Sequence, residues 1–228
     1  MSATWHAGAV ARMAAFILGG LPLATPAAAD ICPSYLQPPQ VTFTIDPGKL
    51  VYIRQANRRE LHDLRRQYGK IVTLDTEVVG LTVTDLKQWL QIEVETRPVG
   101  QGRSCAYLRK VEATIGYENI RVYVARDYRP GSCPDGAILA HENRHVTVHR
   151  TTLQRFGPNL RQALEGTARK QGPLVVGPIG DAIAVFQERL RQALDPLFTQ
   201  MNHEMDRANA VIDSPASYAG DHSRCKDW

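Results

Sequence analysis

The sequence predicts an α+β fold, in which an antiparallel β-sheet of about four or five strands is followed by a helical C-terminal half. The first observation is that residues 70–128 are rich in Val, Ile and Thr, with turn signals between short segments. The second is that residues 134–213 carry apolar side chains at helical spacing. The third is an H-E-x-x-H pattern, His141 to His145, inside the first predicted helix of that half.

The N-terminal segment, residues 1–29, is typical of a secretory signal peptide. It carries one basic residue, Arg12, before a short apolar run, and it ends in Ala27-Ala28-Ala29, which offers a cleavage site. The apolar run is too short to span a membrane. We therefore expect an exported protein, periplasmic or secreted, with no membrane insertion after signal removal. Residues 30–228, about 199 residues (228 − 29), would form a single domain.

The charge of the chain is mild, with a formal net charge of +4 and a pI of about 8.9. Basic residues are dispersed apart from two pairs, Arg58-Arg59 and Arg65-Arg66, which we interpret as parts of a solvated face. The sequence contains no basic stripe interleaved with aromatic residues, so we expect no nucleic-acid partner.

Short elements are predicted before the main sheet. Val41–Ile45 alternates apolar and polar residues, Leu50–Arg54 follows a Pro-Gly turn signal, and Asn57 is a good N-cap for a helix that continues to Tyr68. The strands predicted for the main sheet are residues 71–84, residues 90–96, and a hairpin of residues 105–117 and 120–128 that turns near Glu118-Asn119.

The four cysteines predict two disulfides, because an even number of cysteines in an exported chain usually pairs. If the predicted hairpin folds about position 119, Cys105 and Cys133 lie opposite each other, since both are 14 residues from that position (119 − 105 and 133 − 119). Cys32–Cys225 follows by elimination. The first bridge would fix the start of the His-bearing helix to the sheet.

The helical half is predicted in three parts. The first helix covers residues 134–156, with its end or a sharp bend at Gly157-Pro158, and a second helical segment covers residues 159–170. After a Gly/Pro loop, a long amphipathic helix runs from Asp181 to about Ile212, with Pro196 bending or breaking it. The tail, Asp213–Trp228, is predicted to be turn-like.

The H-E-x-x-H pattern predicts a metal site for one Zn²⁺ ion. On a helix, His141 and His145 lie one turn apart on the same face, so both imidazoles can bind one ion. Glu142 would face the open position of the metal and act as the general base. The alternative is a row of solvated histidines on an amphipathic helix without a metal.

A third ligand is expected, because a catalytic zinc normally has three protein ligands and a water. His149 is disfavoured, since it lies eight residues from His141, about 12 Å along a straight helix. If the long helix runs antiparallel to the first, positions whose numbers sum to about 350 face each other. Glu204 is then the first choice, at the edge of the apolar stripe, and His203 is the second.

The tail after the long helix carries three further candidates. Asp213 can orient a liganding histidine, or bind the metal itself. Tyr218 or His222 can donate a hydrogen bond to a developing oxyanion, and Tyr218 is therefore a candidate catalytic residue. A cap, a turn or a packing role is the alternative for each.

The expected reaction is hydrolysis of a peptide bond, with a peptide or protein as substrate. The predicted strand Arg121–Asp127 leads directly into the metal-binding helix. If this strand lies at the sheet edge, it can bind an extended peptide by strand addition.

The arrangement resembles a bacterial family of uncharacterised exported proteins described as zinc-dependent proteases. The resemblance rests on the hairpin that ends in Tyr128-Arg129-Pro130-Gly131-Ser132-Cys133, on the H-E-x-x-H helix, and on a second helix that ends in Ile212-Asp213. It covers roughly residues 70–220 and implies a zincin-like core with protease activity. Family members have Tyr-Asp and then Thr-x-His-Gly after the second helix. Here Asp213 matches the Asp, but Tyr218 stands where the His would fall, so no role in the tail is taken over from the family.

Two other functions stay open at the level of sequence. One is an exported binding or structural protein that carries a metal, or none, without catalysis. The other is a zinc amidase that acts on cell-wall material, because the metal chemistry is the same. The sequence also leaves the oligomeric state open.

Overall fold

The structure, a computed structural model, describes residues 31–34, 37–68 and 77–228. The predicted signal peptide, residues 1–29, and the first part of the predicted strand 71–84 lie outside the described residues. The fold is α+β, as predicted. The strands are β1 (Gln40–Asp46), β2 (Lys49–Ile53), β3 (Gly80–Gly100), β4 (Arg103–Val124) and β5 (Leu174–Val176). The helices are α1 (Arg58–Gln67), α2 (Cys133–Arg169), α3 (Ile179–Ile212) and α4 (Pro215–His222).

The 22-residue strand β4 organises the sheet, because each of the other four strands pairs with it. β3 is antiparallel to β4 along most of its length, from Gly80 opposite Val124 to Gly100 opposite Arg103. On the other side of β4, the short strands follow one another in the order β5, β1 and β2. β1 and β2 run parallel to β4, whereas β5 runs antiparallel.

The prediction of an antiparallel sheet is therefore wrong for β1 and β2. β3 returns to β4 through the tight turn at Gln101-Gly102, where both residues have positive φ. β3 thereby occupies one side of β4. The preceding strands β1 and β2 pair with the other side of β4 and run in the same direction as β4. Gly116 permits this pairing, since a Cβ there would lie 1.8 Å from the carbonyl oxygen of Asp46.

The predicted hairpin turn at Glu118-Asn119 is also wrong. In the structure these two residues lie within β4, opposite a register shift between Thr84 and Leu86 of β3. Two residues on one strand thus oppose one on its neighbour, which is the geometry of a β-bulge. Polar residues in a strand indicated a turn, but a bulge accommodates them equally well.

Both disulfides join other partners than those predicted. The bridges are Cys32–Cys105 and Cys133–Cys225, so the predicted pairs Cys105–Cys133 and Cys32–Cys225 are wrong. The cause is the misplaced turn. Because β4 is one continuous strand, Cys105 lies near its start and Cys133 comes after its end, at the opposite end of the sheet.

The predicted breaks in the two long helices do not occur, since α2 continues through Pro158 and α3 continues through Pro196. The structure provides a reason for the small residue before Pro158: a Cβ on Gly157 would lie 3.2 Å from Ile45 of β1, so the helix packs closely on the sheet there. None of the described helices combines the length and the apolarity needed to cross a membrane.

The main core lies between the sheet and the helix pair α2 and α3. These helices run antiparallel, because early residues of α2 meet late residues of α3, as at His145 and Asn209. The core includes Ile115, Tyr117 and Val122 from β4, Leu153, Phe156 and Leu160 from α2, and Phe186, Leu190 and Met201 from α3, all of them buried. The H-E-x-x-H segment lies at one end of this core.

Candidate metal centre

Three side chains converge at the end of the α2–α3 pair: His141, His145 and Asp213. The Nε2 atoms of the two histidines lie 3.3 Å apart. Asp213 Oδ1 lies 3.2 Å from Nε2 of His141 and 3.0 Å from Nε2 of His145. Among the described residues this is the group of His, Cys, Asp or Glu side chains that can hold a metal ion, and both histidines are buried.

Local structure explains how the helix termini position these residues. Ser132 caps α2 by accepting a hydrogen bond from the backbone NH of Asp135, and Pro134 follows in the first turn. The helix therefore starts at a fixed point two turns before His141. Asp213 is the C-cap residue of α3, and its NH donates to the carbonyl of Asn209. Its side chain thus leaves the helix at the end nearest to the two histidines.

The second nitrogen of each imidazole also has a polar neighbour. Nδ1 of His141 lies 2.9 Å from Oδ2 of Asp221 in α4, and Nδ1 of His145 lies 2.9 Å from Oδ1 of Asn209 in α3. When each Nδ1 carries the proton, it donates a hydrogen bond to these oxygens, so both Nε2 atoms keep a lone pair for a ligand in the centre. Hydrogen bonds of this kind fix the tautomer and the ring orientation.

Arg144 holds Asp221 in place. Its guanidinium contacts both carboxylate oxygens of Asp221, and its Nη2 lies 3.2 Å from the hydroxyl of Ser217. Asp221 is only 5% exposed, so its charge needs this compensation. Arg144, the residue directly before the second histidine of the pattern, therefore connects α4 to α2.

The proton affinities of the group reflect these contacts. Burial lowers the pKa of His141, but its hydrogen bonds with Asp213 and Asp221 outweigh burial and raise the pKa above its ordinary value. Burial raises the pKa of Asp213, but its hydrogen bonds with His141 and His145 outweigh burial and hold the pKa well below its usual range. Asp213 is therefore an ionised carboxylate at neutral pH, the form that binds a metal.

Glu142 lies beside the group in a buried position. Its Oε2 accepts a hydrogen bond of 2.7 Å from the hydroxyl of Thr82 in β3. Burial raises the pKa of Glu142, while the neighbouring histidines and the Thr82 hydroxyl oppose that rise. A raised pKa makes this carboxylate a better proton acceptor, which is what a general base requires.

Gly80 allows β3 to approach this carboxylate. A Cβ at Gly80 would lie 2.5 Å from Oε1 of Glu142 and 2.7 Å from Cγ2 of Ile138. We expect Gly80→Ala to lower the free energy of unfolding by about 1–3 kcal/mol, because the added methyl overpacks the site. Urea unfolding measures this change. Gly166→Ala is the matched control, since a Cβ on Gly166 in α2 meets no atom within 4 Å among the described residues. A Gly80→Ala protein as stable as the wild type would contradict the close packing.

Tyr218, predicted as catalytic, lies next to the group. Its hydroxyl donates a hydrogen bond of 3.1 Å to Oδ1 of Asp213, and its ring stacks on His141 with centroids 4.9 Å apart. Burial raises the pKa of the Tyr218 hydroxyl, and the charge of Asp213 raises it further. The hydroxyl is therefore a neutral hydrogen-bond donor within reach of the centre.

Glu204, predicted as the third ligand, lies elsewhere. Its carboxylate forms an ion pair with Arg155, which follows His145 by ten residues, about 15 Å along α2, and Gln200 also contacts it. His203 is exposed, and His149 packs edge-on against Tyr117. The structure thus brings together His141 and His145 as the pattern predicts, with Asp213 in the place that the sequence analysis gave to Glu204.

The register of the two long helices explains this difference. The residue numbers of facing side chains sum to 354 for His145 and Asn209 and to 359 for Arg155 and Glu204, instead of about 350. The connection between the two helices is not a simple turn, because it contains β5, which pairs with β4. A sequence signal for the correct residues exists: the series Met201, Met205, Asn209, Asp213 has a spacing of four and becomes polar towards the histidines.

A small cleft opens beside the group, with a cavity volume of about 40 Å³. The start of β3 and residues of α2, including Ala137 and Glu142, line it. Tyr218, His222 and Trp228, from the C-terminal part of the chain, line it as well. His222, a second candidate from the tail, stacks on Trp228 with centroids 4.0 Å apart and lines the same cleft.

Comparisons of this chain with protein-family models, with curated proteins and with solved structures found no match.

Proposed function

We propose that this protein is an exported zinc metalloprotease that hydrolyses peptide bonds, with His141, His145 and Asp213 as metal ligands and Glu142 as general base. The observation that carries the proposal is the separation of 3.0–3.3 Å between the three donor atoms, next to a buried carboxylate. Ligands at bond lengths of about 2.0–2.1 Å in a tetrahedral zinc site lie about 3.3 Å apart. Two imidazoles and one carboxylate are also a usual donor set for a catalytic zinc.

A zinc ion bound by these residues supplies Lewis acidity, which polarises a carbonyl and lowers the pKa of water. The chain contributes the remaining steps. Glu142 takes a proton from the attacking water and returns it to the leaving amine. Tyr218, a neutral donor at the same centre, stabilises the negative charge that develops on the carbonyl oxygen. Asp221 and Asn209 hold the two imidazoles in the orientation that ligation requires.

The substrate peptide would bind along β3 and not along residues 121–127. The end of β4 lies between β2 and β3, so it offers no edge to a peptide. Among the described residues, the segment Gly80–Thr84 pairs with a strand on one side only, that of β4, and it lies against Glu142. An extended peptide added to this strand would pass the metal group. This order of strand, cleft and H-E-x-x-H helix supports a zincin-like core.

Export is part of the same proposal. Two disulfides are compatible with an oxidising compartment, in which such bridges persist. The signal-like N-terminal sequence supports the same location. A peptide or protein is the expected partner.

Metal content tests the ligand set. We expect the purified wild type to bind one equivalent of zinc and Asp213→Ala to bind at least tenfold more weakly, because the variant loses one of three ligands. The measurement is chelator competition followed by elemental analysis. Glu204→Ala is the control and should match the wild type, since its partner is Arg155. The reverse result, with weak binding only in Glu204→Ala, would reject the Asp213 site.

A further inference from the structure

One arginine among the described residues that line the cleft has no partner. Arg65, in the last turn of α1, lines the cleft together with Glu142 and Tyr218. Its side chain is only partly exposed. Within residues 31–34, 37–68 and 77–228 it has no hydrogen bond and no ion pair. A guanidinium that is partly withdrawn from water and has no counter-charge is well suited to bind an anion.

Two acidic groups of the cleft already have an arginine partner. Glu77 accepts a hydrogen bond of 2.7 Å from Arg58, and Asp221 is held by Arg144. The guanidinium of Arg65 therefore keeps its hydrogen-bonding capacity for a ligand. The Tyr218 hydroxyl also indicates that Arg65 lies nearby. Burial raises the pKa of this hydroxyl, and the positive charge of Arg65 lowers it.

The charge of the cleft favours an anion. Neutral imidazoles, a divalent metal and two ionised carboxylates, Asp213 and the base Glu142, carry no net charge together, so Arg65 supplies the positive charge of the cleft. A narrow cleft with low-dielectric walls concentrates such a field. Arginine is also the residue that binds a carboxylate with two parallel hydrogen bonds.

We propose that Arg65 binds a carboxylate of the substrate next to the scissile amide, and thereby selects peptides that carry a negative charge at that position. This inference rests on the proposed function. The carboxylate can be the C-terminal group of a peptide or the side chain of an Asp or Glu residue. Both present the same two oxygens to the guanidinium.

The test compares matched peptides. N-acetylated hexapeptide libraries with Glu or Gln fixed at each position in turn are made both as C-terminal acids and as C-terminal amides. Cleavage by the zinc-loaded wild type is followed by mass spectrometry. We expect faster cleavage for Glu over Gln at one position if the ligand is a side chain, or for acids over amides if it is a C-terminal group.

The variants then assign this preference. Arg65→Gln should raise KM for the preferred peptides by about 10- to 100-fold, with kcat nearly unchanged, because a charge-assisted contact is lost. Cleavage of the neutral counterparts should not change. Arg65→Lys should retain part of the preference. Arg66→Gln, on the neighbouring exposed residue outside the cleft, is the matched control and should behave like the wild type.

The failure of this inference differs from the failure of the proposed function. A preference that survives in Arg65→Gln, or an equal loss for charged and neutral peptides, would overturn the role of Arg65 while the protease proposal stands. If the wild type cleaves no peptide, the protease proposal fails. Retention of the same libraries on zinc-loaded Glu142→Gln then tests Arg65 by binding alone. Retention of acidic peptides that Arg65→Gln abolishes supports the site, and equal retention of acidic and neutral peptides rejects it.

Discussion

Glu142→Gln should retain zinc and lose peptide hydrolysis by about 10²- to 10⁴-fold, the range of general acid–base catalysis. The amide keeps the shape of the side chain and can still accept a hydrogen bond from Thr82, which lies 2.7 Å away in the wild type. It cannot take a proton from water. Because burial raises the pKa of Glu142, the neutral amide also avoids the cost of a buried charge, and the variant should be no less stable.

Three measurements check this prediction: the zinc content, kcat/KM on a cleaved peptide, and the urea midpoint. Glu204→Gln is the matched control, because it removes a carboxylate that pairs with Arg155 of α2, ten residues after His145. A Glu142→Gln protein with full activity would exclude Glu142 as the base. A variant that loses both zinc and activity would leave a structural role for this carboxylate.

Loss of the Cys133–Cys225 bridge should weaken both the fold and the metal site. The bridge closes a separation of 92 residues, and the chain-entropy argument then gives about 4–5 kcal/mol of stability. It also holds the segment after α4 to the start of α2. In α4 the buried residue is Asp221, a charged one, so the helix has little apolar surface of its own in the core. We expect Cys133→Ser/Cys225→Ser to bind zinc about 10- to 100-fold more weakly, the usual effect of losing a residue that orients a ligand.

The other bridge provides the control for this prediction. Cys32–Cys105 closes a separation of 73 residues, so its removal should cost a similar free energy. It lies at the far end of β4, near β5, and its loss should leave zinc affinity unchanged. Urea unfolding and chelator competition, both in the cold where the proteins stay folded, separate the two effects. Asp221→Asn is a second test, since it weakens the contact with His141 without opening a bridge. Equal zinc affinity in both double variants would contradict the role of α4.

Sequence predicted the part of the site that depends on local spacing. His141 and His145 come together because a helix repeats its faces every three to four residues, and the order of nearby elements also followed from local patterns. Asp213 could not be derived in the same way. Its position depends on the register between α2 and α3, whose connecting segment contains the strand β5. If that register is wrong by one helical turn, a different residue of α3 is predicted to face the histidines.

The errors in the sheet have a similar origin. Glu118-Asn119 has the composition of a turn, and the choice between turn and bulge is made by pairing with β3, which is distant in sequence. The disulfide prediction inherited that error. By contrast, α4 had a local signal that the turn-like interpretation overlooked. Ser214 caps the helix by accepting from the NH of Ser217, and Pro215 occupies its first turn.

The two bridges divide the described chain into successive covalent rings that do not interlock, since Cys32–Cys105 closes before Cys133–Cys225 opens. One ring contains β1 to β3 with α1, and the other contains α2 to α4 with the metal group. A single proteolytic cut inside either ring leaves all pieces joined until a reductant is added. A cut between residues 106 and 132 instead separates the two rings at once, and non-reducing electrophoresis distinguishes the two kinds of nick.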